Sequence, residues 1–327
     1  METCSLCHTN ICGLQTFNFV TLKINNYEKG RIEKIYNEFQ SQKNEIVNKK
    51  FKINPSYYKR VAIPLALALA GFKNNGILKV FISGGQGSGK TTLSIVLKYF
   101  LENFFNKKVA IFSIDDLYLS KKNRLKLAKN IHPLLKTRGV PGTHDIELGI
   151  KVVKSLISKK NKKTLIPKFS KEKDDMVDKS YWKIFNGTPD IIIIEGWCMG
   201  AKPMRDDFWH GPINSLEESH DPNGFWSMWV NKKLAGNYQD FFNMFDLSVY
   251  VQSKNFKQII KNRLMQENIA KHFSHGRNGY MDEKEVLNFV MHFERITENM
   301  KTYMPQKSNF VLKRSSKNYF SIIKSNF

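Results

Sequence analysis

The chain lacks any apolar run long enough to cross a membrane. Its most apolar stretch, VAIPLALALAG at 61–71, has 11 residues, against the roughly 20 that a membrane helix needs. With Pro64 near its start and Gly71 at its end, it is expected to be a short buried helix. No charged start followed by an apolar run forms a signal peptide, so the cytoplasm is the expected compartment. Cysteine is also scarce. Four in 327 residues cannot form a disulfide framework. Three of them, Cys4, Cys7 and Cys12, crowd the N-terminus, where CSLCH matches the C-x-x-C-H pattern of haem attachment. That chemistry needs export, so the match reads as chance. A zinc site of Cys4, Cys7, His8 and Cys12 lacks the usual second ligand pair. Acidic residues are few as well: 29 Asp and Glu face 52 Lys and Arg, a net charge of +23. The lysines are spread through KKFKINPSYYKR, KKNRLKLAK, SKKNKK and KNFKQIIKNR rather than gathered in a tail or interleaved with stacking aromatics. They read as a basic solvated surface that attracts acidic small molecules, not as a specific nucleic-acid site. Internal repeats and low-complexity linkers are absent, and no oligomeric state can be read.

A 41% hydrophobic share with 13% aromatics is enough to bury a core, and the length lies near the upper limit for one core. One α/β domain is expected over 56–327, with an N-terminal extension over 1–55. Apolar residues Ile32, Ile35, Tyr36, Phe39 and Ile46 suit an amphipathic helix over 28–48. Four runs then read as strands: ILKVFIS from 77, KKVAIFSID at 107–115, DIIIIEGW at 190–197 and DLSVYVQ from 246. Continuous apolar runs of this kind suit strands covered on both faces, as in a parallel sheet. Helical periods lie between them, in TTLSIVLKYFLENFF, in IELGIKVVKSLIS and in one long stretch FWSMWVNKKLAGNYQDFFNMF. The alternation predicts a doubly wound parallel sheet with flanking helices, with ligands at the carboxyl ends of the strands.

Between the first strand and its helix lies GGQGSGKT at 84–91, which satisfies G-x-x-x-x-G-K-[ST]. Glycines permit the positive φ that turns backbone N–H groups inward at the positive end of the helix. Gly84, Gly85, Gln86, Gly87, Ser88, Gly89, Lys90, Thr91 and Thr92 are thus candidates to cradle the phosphates of ATP. Lys90 would reach the β and γ oxygens, and the Thr91 hydroxyl is placed to ligate Mg2+. Many reactions share such a loop, so the acids must discriminate among them. Asp115 and Asp116 end the second strand, where a carboxylate accepts a proton from an attacking hydroxyl. Glu195 ends the third, where it can hold the metal or its water shell. Any one such acid could equally be a helix cap.

With these motifs in place the sequence resembles the D-glycerate 3-kinase family, within the group of P-loop kinases that includes uridine kinase and pantothenate kinase. GGQGSGKTT, SIDDLYLS, HPLLKTRGVPGTHD, IPKFSKEKDD, IIIIEGWCMG and RLMQEN stand in that family's order over roughly residues 60 to 305. The resemblance implies a P-loop NTPase-type fold with a helical lid, and transfer of the γ-phosphoryl of MgATP to D-glycerate. It implies that Asp115 is the base, that Asp116 and Tyr118 shape the acceptor pocket, and that Arg138 and His144 bind the glycerate carboxylate and hydroxyls. It further implies that Lys168, with Lys171, touches substrate or phosphate, and that Arg263 is a lid arginine stabilising the transferring group.

The bland alternatives are a loop-stabilising arginine, a capping histidine and a charged helix face. The sequence departs from the family in a shortened stretch at IPKFSKEKDDM, in Met176 where an arginine is expected, and in Asn262 where an aromatic precedes the lid arginine. These changes leave phosphoryl transfer intact and the acceptor open. Another small hydroxylated acid remains an alternative, as does a nucleoside beside Trp197 and Tyr118, or a nucleotide-gated protein binding nucleic acid through its lysines. The tryptophans of FWSMWV and the loop GAKPMRDDFWHGP read as an interface or a pocket cover.

Overall fold

In a computed structural model the described residues are 26–41, 53–73, 76–205, 207–273, 281–314 and 320–325. Cys4, Cys7, His8, Cys12 and Ile46 lie outside them. Six strands form the main sheet: β1 (Leu78–Gly84), β2 (Val109–Ser113), β3 (Ile191–Gly196), β4 (Leu247–Gln252), β5 (Phe310–Arg314) and β6 (Phe320–Ser325). Their order is β6-β5-β4-β1-β3-β2. The first five are parallel where they pair, with Phe81 opposite Ile194 and Val80 opposite Leu247, and β6 runs antiparallel to β5. The expected parallel α/β sheet is therefore present.

Strand alternation splits the apolar side chains between two layers. Phe81, Ile192 and Ile194 point into a core shared with Val153, Val230, Phe241 and Met300 of the helices on one face. Val80, Ile82, Ile191 and Ile193 point to the other face, against Leu65, Leu97 and Phe100. Both faces are covered, which is why IIII is uninterrupted in the sequence. Ile32, Ile35 and Phe39 of helix Asn26–Ser41 are buried in this second layer. The 61–71 stretch belongs to a longer helical run whose Tyr58–Ala62 portion is a π-turn, followed by helix Ile63–Gly71. No described helix is long and apolar enough to cross a membrane.

Two expectations are corrected locally. The stretch 225–245 is two helices, Phe225–Leu234 and Asn237–Phe242, because Gly236 takes a non-helical ψ of −133° between them. The second strand stops at Ser113, two residues before the acids. Ser113 Oγ accepts from Asp115 N, and Asp116 Oδ2 accepts from Ser113 N, a reciprocal capping box that starts a single 3-10 turn over Ile114–Leu117. The turn lifts Asp115 off the strand end and toward the mouth of the sheet. The structure adds strands that the apolar runs do not mark: β5, β6, a hairpin of Lys163–Ile166 with Lys183–Asn186, and the two-residue pair Phe169–Ser170 with Asp175–Met176.

Candidate active site

The carboxyl ends of β1, β2 and β3 open into a cavity of about 960 Å3. The glycine loop forms its floor. Gly84 has φ 149°, and a Cβ there would lie 2.6 Å from the Val251 carbonyl oxygen. Gly87 has φ 68°, and a Cβ there would lie 2.9 Å from the Asn262 carbonyl carbon. Neither position has room for a side chain. Helix Lys90–Phe104 starts after Gly89 with no side-chain cap on its first turn, so free amides and the positive helix end face the cavity. Lys90 is buried, and its Nζ donates to the Gly85 carbonyl at 2.9 Å. Burial lowers its pKa, with Glu195 and Asp115 opposing. Gln86, Gly87, Gly89, Thr91 and Thr92 also line the cavity.

Thr91 Oγ1 donates to Glu195 Oε1 at 2.8 Å. Burial pushes the Glu195 carboxyl up, against the pull of Lys90. Asp115 carries two partners: Tyr118 OH donates to Oδ1 at 2.7 Å and Lys171 Nζ to Oδ2 at 2.7 Å. Burial would raise the Asp115 pKa, yet the charge of Lys171 and these hydrogen bonds prevail and hold it below the ordinary carboxylate range. Arg138 lines the cavity, donates to Asp174 Oδ1 at 2.5 Å and stands over the rings of Phe169 and Phe289. Arg263, on helix Phe256–Phe273, also lines it, paired with Glu267 one turn on and 5.6 Å from the centre of the Phe289 ring.

The structure brings Gln86, Gly87, Gly89, Lys90, Thr91, Thr92, Asp115, Tyr118, Arg138, Glu195 and Arg263 to one cavity; Gly84, Gly85 and Ser88 of the loop do not line it. Asp116, Lys168 and His144 are not among its lining residues. Asp116 is spent on the capping box, on Lys168 Nζ at 3.1 Å and on the Phe169 amide at 3.3 Å. His144 stacks behind Tyr118 with ring centres 4.9 Å apart and shares a 2.7 Å hydrogen bond with Tyr238 OH through Nδ1. Burial lowers its pKa to about 4. The tryptophans of 209, 226 and 229 also lie off the cavity; Trp209 and Trp229 pack over Gly224 and Gly142.

Other lining residues carried no sequence signal. Tyr57, Arg314 and Phe320 also line the cavity. The Tyr57 and Phe320 rings meet edge to face at 5.3 Å, and Arg314 Nη1 donates to the Gly87 carbonyl at 3.2 Å. They come from opposite ends of the chain, and no local pattern marks them. Asp174 lines the cavity too; its acidic stretch KEKDD is visible in the sequence, but nothing local marks its partners.

No protein-family model matches the chain. An uncharacterized kinase of Schizosaccharomyces pombe is 35% identical over 228 residues, 65% of this chain and 76% of that protein. The chloroplastic D-glycerate 3-kinase of Arabidopsis thaliana is 30% identical over 236 residues, 70% of this chain and 48% of that protein, so this chain spans about half of its length. Among solved structures, the D-glycerate 3-kinase of Cryptococcus neoformans shares the fold, with a TM-score of 0.64 at 22% identity over 79% of this chain and 96% of that one. A parallel sheet with a glycine loop after its central strand β1, facing one acid on the neighbouring strand β3 and another just past β2 on the far side of β3, defines a P-loop kinase. Within that class, the chain belongs to the D-glycerate 3-kinase family. It is an ATP-dependent kinase.

Proposed function

We propose that the protein transfers the γ-phosphoryl group of ATP to D-glycerate, giving 3-phosphoglycerate and ADP. The observation that carries this reading is that Asp115, an ionised carboxylate, and Arg138, a guanidinium, line one cavity with the phosphate loop. A small hydroxy acid matches that pair. Its carboxylate suits the arginine fork, and its hydroxyl can face Asp115.

In the proposed reaction the nucleotide phosphates lie on the loop amides and Lys90. Asp115 takes the proton of the acceptor hydroxyl as its oxygen bonds to the γ-phosphorus and the bond to the β-γ bridging oxygen breaks. Arg263 supplies positive charge to the equatorial oxygens, exchanging its pairing with Glu267 for the phosphoryl group. Thr91 and Glu195 offer two hard oxygen donors 2.8 Å apart at the loop, a donor set that suits Mg2+. They would hold it beside the nucleotide, and when bound the ion supplies charge neutralisation of the phosphates. The base of ATP is assigned to the side where Tyr57, Arg314 and Phe320 stand.

A nucleoside acceptor is disfavoured by the aromatics on the acceptor side. Trp197 is buried, donates through Nε1 to the Gly139 carbonyl at 2.9 Å and packs on Phe293, and the Tyr118 hydroxyl is held by Asp115. Both line the cavity, but their polar atoms are already bonded and their rings are packed, Trp197 on Phe293 and Tyr118 on His144 and Phe169.

The test is to incubate purified protein with D-glycerate and MgATP and to follow 3-phosphoglycerate. Steady turnover is expected. No turnover with glycerate, while another small hydroxylated compound is phosphorylated, would overturn the acceptor assignment.

A further inference from the structure

Behind Arg138 lies a second arginine that the reaction does not use. Arg124, on helix Lys121–Asn130, is only 2% exposed. Its donors go to the Leu119 carbonyl at 3.2 Å, the Lys136 carbonyl at 2.7 Å and the Asp174 carbonyl at 2.7 Å, and it forms an ion pair with Asp174 Oδ2 at 2.9 Å. The other Asp174 oxygen, Oδ1, accepts from Arg138 Nη1 at 2.5 Å. One carboxylate thus bridges a buried arginine and an arginine that faces the cavity.

Asp174 has φ 52°, in the left-handed region. It closes the short turn between Phe169–Ser170 and Asp175–Met176. Glycine or asparagine would serve such a turn at least as well, so the turn alone does not call for a carboxylate. The two guanidinium groups do. Arg124 is buried, and swinging Asp174 away would leave it as an uncompensated interior charge. The carboxylate is therefore a fixed acceptor and not a placeholder that an anionic ligand displaces. Arg138 is tied by one nitrogen only and flanked by the rings of Phe169 and Phe289. Among the described residues its remaining donors have no partner, and its side chain is 19% exposed.

We propose that Asp174, locked by Arg124, is the positioning residue that presents the free edge of Arg138 to the anionic end of the acceptor. This rests on the reading that the acceptor is a small hydroxy acid bound at this site. A guanidinium held before the ligand arrives loses less freedom on binding.

The decisive variant is Asp174→Asn, because asparagine keeps the left-handed turn and removes the charge. Kinetics with D-glycerate and MgATP should show the acceptor KM rising by about tenfold, the loss of roughly one charge-assisted hydrogen bond, with kcat and the KM for ATP within about twofold of wild type. Arg124→Lys, which keeps the charge and loses the fork, should move the acceptor KM in the same direction by less. An unchanged or lower acceptor KM in Asp174→Asn would overturn the proposal. So would a parallel loss of kcat and both KM values with a fallen Tm, which would make Asp174 a structural counter-ion only. A second readout needs no acceptor: side-chain 15N NMR of Arg138 should show hindered guanidinium rotation in the wild type and free rotation in Asp174→Asn. Free rotation in the wild type overturns the positioning role whatever the acceptor. Hindered rotation in a protein that does not phosphorylate glycerate supports the positioning role and removes the glycerate reading.

Discussion

Lys171 Nζ lies 2.7 Å from Asp115 Oδ2, on the opposite side of the carboxylate from the Tyr118 hydroxyl. The proposed base is therefore held ionised by a neighbouring cation even though burial favours its neutral form. In return Asp115 raises the pKa of Lys171. A carboxylate below its usual range is charged throughout the neutral region.

Replacing Lys171 by Met removes the cation that lowers the Asp115 pKa and leaves the burial that raises it. The acidic limb of the kcat/KM profile with glycerate should move to higher pH in Lys171→Met, and Lys171→Arg should restore it in large part. An acidic limb that stays in place would show that Lys171 does not set the state of the base. The linked effect on stability has the same origin: a depressed carboxylate stabilises the fold above its unfolded pKa, and that contribution fades as pH falls toward the folded value.

Asp115→Asn keeps the shape of the turn and removes the proton acceptor. Transfer should fall by about 100-fold to 10,000-fold, as for loss of a general base, while ATP affinity measured by calorimetry stays close to wild type. Full activity in this variant would mean that another group takes the proton.

Phe320 and Tyr57 line the cavity and meet edge to face, with the Phe320 ring beside Gly89 of the loop. Phe320→Ala should raise the KM for ATP by roughly tenfold, since stacking of a base on an aromatic ring is worth about 1–3 kcal/mol, with the KM for the acceptor unchanged. Equal effects on both substrates would place the base elsewhere.

Gly87→Ala meets two obstacles at once, a φ of 68° and the Asn262 backbone 2.9 Å from the new Cβ. The loop must shift to accept it. Loss of detectable nucleotide binding in a protein that still folds by circular dichroism is expected, and normal ATP affinity would contradict the geometry.

His144 is neutral in the fold because burial lowers its pKa to about 4 from an ordinary 6.5. Protonation therefore favours the unfolded chain. The contribution to stability is fully present above pH 6.5 and is lost as pH falls toward 4, by about 3 kcal/mol if the whole shift is realised. Urea unfolding at pH 7 and pH 5 should show a fall in stability, smaller in His144→Gln. The buried His292, also lowered to about 4, contributes in the same sense, so some pH dependence should remain in the variant.

Much of the architecture was legible in the sequence because the signals are local. ILKVFIS and IIII announce strands buried on both faces, and the glycine loop stands immediately between its strand and its helix. Asp115 follows its strand and Glu195 stands near the carboxyl end of its own, so their place at the sheet mouth could be anticipated. The turn that carries Asp115 could not, because it depends on the Ser113 and Asp116 side chains choosing the backbone over the cavity. Asp116 and Lys168 have the residue types of a binding site, and only their pairing with each other shows where their charges go.

By itself the sequence determined the four parallel strands β1 to β4, the phosphate cradle and the candidate base, since periodicity, glycine conformation and a motif between strand and helix act over a few residues. Tertiary structure alone decided the partners. Lys171 on Asp115, Arg124 and Arg138 on Asp174, and Tyr57 beside Phe320 join residues 36 to 263 positions apart or on separate elements. Charge and ring contacts of that range are set by how the layers pack, and no spacing along the chain encodes them.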